Sequence, residues 1–137
     1  MVGALLAVSL ATAAPAAAQF DDDGLRVVAD AVYRVLPDDG AVEVEISYAV
    51  TNQVADQRRG FQIIQTFFRS IVEILPDAAV DVKATRDNGD VLSITPADIP
   101  AEEAEAAAAS PYGVWEVDLG PNLFYQQTRR LTVSFRL

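Results

Sequence analysis

Neither cysteine nor histidine occurs among the 137 residues. The lack of cysteine excludes disulfides, zinc ribbons and a thiol nucleophile. The lack of histidine excludes a Ser-His-Asp triad, a His-Glu-x-x-His zinc site and imidazole acid–base chemistry. Basic residues are scarce, ten against twenty acidic ones, giving a net charge of −10 and a pI near 4.2. A field of that sign repels phosphate backbones and anionic membranes, so no nucleic-acid partner is expected. The same acidity suits solubility in an extracellular medium. Long apolar runs are also few. Residues 2–13 form the longest, too short to cross a bilayer, and no membrane span is expected.

What the sequence does contain is alternation. In residues 41–52, Val42, Val44, Ile46, Tyr48 and Val50 recur at every second position, with Glu43, Glu45, Ser47 and Thr51 between them. Successive side chains of a strand point to opposite faces, so this stretch has one face for a core and one for water. The length fits one domain, large enough to bury a single core without disulfides or metal. The expectation is an all-β fold, an antiparallel β-sandwich or saddle-like sheet domain.

The first 18 residues resemble a signal peptide: an apolar run, Pro15, then Ala16-Ala17-Ala18 as a small-residue cleavage site after Ala18. No Lys or Arg precedes the run, where a basic segment is usual. The expected product is a secreted, extracellular domain over residues 19–137. Residues 20–24 read as a polar, solvated lead-in whose aspartates lack the spacing of a calcium loop. Residues 27–36 predict a strand, and Pro37-Asp38-Asp39-Gly40 a turn that makes a hairpin with 41–52. Residues 53–60 read as a polar loop carrying Arg58 and Arg59, a pair able to grip an anion but more simply solvated beside Asp56.

Residues 61–75 are ambiguous. Ile63, Ile64, Phe67, Phe68, Ile71, Ile74 and Leu75 fit a helical stripe, yet the content of Ile, Phe and Val suits strands. The β-rich surroundings favour strand, with a bulge or break near Arg69-Ser70. Residues 80–84 and 91–94 flank Asn88-Gly89, which predicts a hairpin with a type I′ turn. Asp87 and Asp90 are explained by turn chemistry without a metal. Residues 96–111 turn Ala/Glu-rich and predict a surface excursion between coil and short helix. Alternation then resumes at 114–119, Gly120-Pro121-Asn122 is expected to turn the chain, and 131–137 form a further strand. The sequence stops on the apolar alternation at Leu137, so a continuing polypeptide is expected.

No residue pattern marks a catalytic, cofactor-binding or metal site. Trp115, Tyr125 and Phe135 are the candidate interface aromatics, with core packing the commoner fate of each. Acidic residues are plentiful, but none stands at a position marked as buried or paired, which leaves little for a paired-carboxylate hydrolase.

Tyr33-x-Val35-x-Pro37, the strand ending Thr51-Asn52, and Leu123-x-Tyr125-x-Gln127-Thr128-x-x-Leu131-x-Val133 resemble the N-terminal β domain of secreted actinobacterial gluzincin metallopeptidases, relatives of the aminopeptidase N group. In one place the chain departs from that pattern: the family tends to have Gly before Gln-Thr, and Gln126 stands there. The resemblance implies a non-catalytic domain that braces a C-terminal zinc catalytic domain and the wall of its cleft. No catalytic residue or cofactor carries over to this chain. The alternative is a free-standing secreted β-sandwich that binds an extracellular protein or peptide, or serves adhesion.

Overall fold

The computed structural model describes residues 16–22 and 24–137. The signal-peptide reading of residues 1–15 lies outside them. Among the described residues strands dominate and helix is confined to one short segment, so the fold is all-β. The strands are β1 (Ala16–Asp22), β2 (Leu25–Leu36), β3 (Ala41–Asn52), β4 (Gln57–Arg59), β5 (Gln62–Ile64) and β6 (Phe68–Pro76). They continue with β7 (Val80–Arg86), β8 (Val91–Leu92), β9 (Ile94–Pro96), β10 (Tyr112–Leu123) and β11 (Thr128–Arg136). The helix α1 (Ala101–Ala108) lies between β9 and β10.

Among the described residues every pairing is antiparallel. A six-stranded sheet runs β1-β2-β3-β11-β7-β8, a three-stranded sheet runs β6-β10-β9, and β4-β5 form a separate hairpin. The two larger sheets face each other across the core. Val44, Tyr48 and Val50 of β3 and Leu131, Val133 and Phe135 of β11 supply one side. Ile71 and Leu75 of β6, with Val117, Leu119 and Leu123 of β10, supply the other. Each fully buried aliphatic side chain contributes about 1.5–3 kcal/mol. The alternation of 41–52 therefore sets both the face and the register of the large sheet, and Ile46 packs against the core as its period requires.

Several local expectations are corrected. Residues 20–22 of the expected solvated lead-in belong to β1, which is paired along its length with β2, so cleavage after Ala18 would remove part of that ladder. The polar loop 53–60 contains β4, which pairs with β5. The break in 61–75 falls at residues 65–67, before β6 rather than near Arg69-Ser70. At the β7–β8 turn only Gly89 has positive φ (88°), and its N–H bonds Arg86 O at 2.9 Å. That is a three-residue loop closed by a left-handed glycine, not the predicted I′ turn. Gly120-Pro121-Asn122 does not reverse the chain either. It is an irregularity inside β10, with the β6 register shifting between Asp118 and Leu123. The Ala/Glu-rich excursion is α1, exposed as its lack of an apolar stripe predicts.

Candidate docking surfaces

Asn52, at the end of β3, fixes the loop from which the β4–β5 hairpin projects. It is fully buried. Its Nδ2 donates to Thr66 O and Leu123 O, both at 2.9 Å, and its Oδ1 accepts the Val54 N–H at 2.8 Å. Its backbone N–H bonds Gln127 O at 3.1 Å, and its carbonyl accepts the Gln126 N–H at 2.8 Å. One side chain thus ties β3, the 53–67 loop, the end of β10 and the 124–127 turn together. In that turn Gln126 takes φ 61°, with Gln127 N–H bonded to Phe124 O at 3.0 Å.

A second fastening sits on the β10 irregularity. Arg129, 9% exposed, donates from Nη1 to Leu119 O at 3.0 Å and from Nη2 to Pro121 O at 3.1 Å. Gly120 between them has φ 77°. Burial lowers the Arg129 pKa, Arg86 adds to the effect, and Asp87 opposes it. A guanidinium remains charged regardless.

The hairpin held by these anchors is exposed along its whole length, residues 57–65. Gly60 and Phe61 form its two-residue turn, and Phe61 has no burial at all. Ile63 is also exposed, and Phe67 at the base packs on Phe124 with ring centroids 5.6 Å apart. Arg58 and Arg59 flank the tip and take part in none of the ion pairs among the described residues. The tip is basic and apolar on an acidic chain.

The outward face of the three-stranded sheet is the other unusual surface. Val72 and Ile74 of β6 and Tyr112 of β10 are 66%, 63% and 52% exposed. Beside them Ser70 Oγ donates to Glu116 Oε1 at 2.5 Å. The outward face of the large sheet carries Arg34 and Glu43 paired at 3.0 Å, with Val32 exposed beside them.

Glu73 breaks the pattern of β6 from the other side. It shares the inward face of Ile71 and Leu75, half-buried opposite Trp115 in the β10 register. Burial raises its pKa, while hydrogen bonds from the Tyr48 hydroxyl and the Ile74 N–H partly offset that rise. Tyr48 is raised as well, by burial and then by the Glu73 carboxylate.

The three aromatics singled out from sequence are not brought together. Phe135 is in the core at 5% exposure. Trp115 is half-buried against the core, and Tyr125 is exposed in the 124–127 turn. Asn88 Nδ2 bonds Asp90 Oδ2 at 2.7 Å within its turn, and among the described residues no group of three or more potential metal ligands occurs. No helix among them is long and apolar enough to cross a membrane. Glu73 was the feature most open to discovery in sequence: a carboxylate at an inward position of the Ile71-x-Glu73-x-Leu75 alternation.

The chain matches no protein-family model, no curated protein and no solved structure.

Proposed function

We propose that this chain is a secreted, non-catalytic β domain that braces a partner domain, as the N-terminal domain of a gluzincin metallopeptidase does. The observation that carries the reading is the outward face of the three-stranded sheet, where Val72, Ile74 and Tyr112 lie exposed together. Sandwich faces open to water alternate to polar residues, and an apolar face marks a place where another surface packs. The signal-like leader and the Leu123–Val133 resemblance supply secretion and the kind of partner, a C-terminal zinc catalytic domain. The test is the reading frame after the Leu137 codon. A downstream His-Glu-x-x-His with a following Glu supports the proposal, and a stop codon directly after Leu137 overturns it.

The β4–β5 hairpin favours a second reading, a free-standing binding or adhesion domain. A fully exposed Phe61 beside two arginines is an anchor-like tip that fits an acidic extracellular partner. Under that reading Phe61→Ser abolishes ligand binding and leaves stability unchanged, whereas the bracing role does not depend on the tip.

A further inference from the structure

The two sheets of the sandwich are unequal, and the shorter one ends at β6. Among the described residues no strand pairs with the outer edge of β6. The Asp77 N–H donates to Pro111 O at 2.9 Å, which fixes the hydrogen-bonding parity of the β6–β10 ladder. In an antiparallel ladder bonded pairs recur every second residue, so Ile71, Glu73 and Leu75 face β10. The backbone groups of Ser70, Val72 and Ile74 consequently point to the open edge. The other side of β10 agrees: Ala97 N–H bonds Val114 O and Asp118 N–H bonds Ser93 O, both at 2.9 Å.

Below that edge the large sheet runs on past β3 to β2. Its inward face there is apolar and incompletely covered, with Tyr33 53% and Val35 67% exposed. A further strand would sit about 4.8 Å beyond β6 and about 10 Å above this strip. Glu73 is a charged side chain on the inward face at that boundary, half-buried opposite Trp115. Inward charges of this kind keep an open edge from pairing indiscriminately.

We propose that the open edge of β6 accepts an extended segment of another polypeptide as an added strand, with apolar side chains over β2 and a Lys or Arg opposite Glu73. Backbone bonds to Ser70, Val72 and Ile74 give the affinity, and the inward side chains give the selectivity. The basic side chain pairs with the Glu73 carboxylate at the half-buried boundary. A second copy of this chain fits worse. Each copy carries −10, and β6 paired on itself about Val72 sets two half-buried Glu73 carboxylates diagonally, about 7–8 Å apart.

The test uses the 137-residue chain and a nine-residue peptide, the length of β6, alternating valine and threonine with lysine at its centre. Amide exchange is followed by NMR at up to about 1 mM peptide, the weak end of specific binding. The expected result is exchange slowed about tenfold or more at Ser70, Val72 and Ile74, without a matching change at Ile71 and Leu75. Glu73→Gln weakens binding of the lysine peptide but not of a glutamine-centred one. Val72→Pro removes an edge N–H without touching the β10 ladder and abolishes binding. If that variant fails to fold, the peptide N-methylated on its edge-facing amides gives the same answer by failing to bind. No protection at these residues, or equal binding of the N-methylated peptide, overturns the proposal. A concentration-dependent dimer that protects the same amides without peptide overturns the choice of occupant.

Discussion

Replacing Asn52 by Ala tests how much of this fold hangs on one polar side chain. The substitution removes the donor to Thr66 O and Leu123 O and the acceptor for Val54 N–H, at a site with no exposure. A net hydrogen bond contributes about 1 kcal/mol, so three give about 3 kcal/mol, with stranded buried groups pushing the loss upward. Domains of this size have total stabilities of about 5–15 kcal/mol, so the variant loses a large share. The corresponding fall in Tm is roughly 10–20 °C. Trp115 is the only tryptophan and reports urea unfolding by fluorescence. Gln53→Ala, one residue on and exposed, is the control and should change stability by less than about 0.5 kcal/mol. If Asn52→Ala matches that control at unchanged slope, the hub assignment is wrong.

Gln126→Gly relieves a left-handed non-glycine residue and should stabilise the chain by about 0.5–1 kcal/mol, read as a rise in the urea midpoint. No gain would mean that the turn is unstrained. Ile46→Ala should cost about 2 kcal/mol, at the low end for a half-buried position, and Glu45→Ala under about 0.5, both by chemical denaturation. Equal costs would refute the facing of β3. Glu73 has a folded pKa above its unfolded one, so folding takes up a proton. Its contribution is fully present below the unfolded carboxylate pKa and is lost as pH rises through the folded value. Glu73→Gln should therefore gain stability relative to the parent between pH 4 and pH 8, measured by urea midpoints at each pH. A gap that stays constant with pH would show that Glu73 titrates as an exposed acid.

Legibility in the sequence followed burial. Residues 41–52 were readable because one face meets the core and the other meets water, so period 2 is written directly into residue type. The β4–β5 hairpin left no such trace. Its residues bury no face, and Gln57-Arg58-Arg59 offers no alternation to find. Ile63, Ile64 and Phe67 instead joined the β6 residues in a spurious helical stripe. The break that separates them is set by Asn52 bonding Thr66 O, a partner 14 residues away that local patterns do not contain. Gly120-Pro121 has turn chemistry, but Arg129 binds the carbonyls on either side and keeps the strand running. Of the docking surfaces, Ile74 belongs to that stripe and Val72 falls outside it. The exposure of both depends on which sheet β6 joins, and that of Phe61 on a turn straddling the boundary between the expected loop 53–60 and the segment 61–75.

The position of β11 has a consequence for how the chain reaches its native state. This strand is the last of those described, yet it lies inside the large sheet, between β3 and β7. Leu137 extends its ladder, exchanging two 2.9 Å backbone bonds with Val42. As the polypeptide leaves the ribosome, β1-β2-β3 and β7-β8 emerge as two pieces with no shared backbone bonds. They join only once residues 128–136 are released. Pairing at such sequence separation makes folding slow. Until then the β3 edge, with Val44, Tyr48 and Val50 beneath it, stands open to chaperones and proteases. A ribosome stall or a nick before residue 128 would leave both halves of the sheet without the strand that unites them.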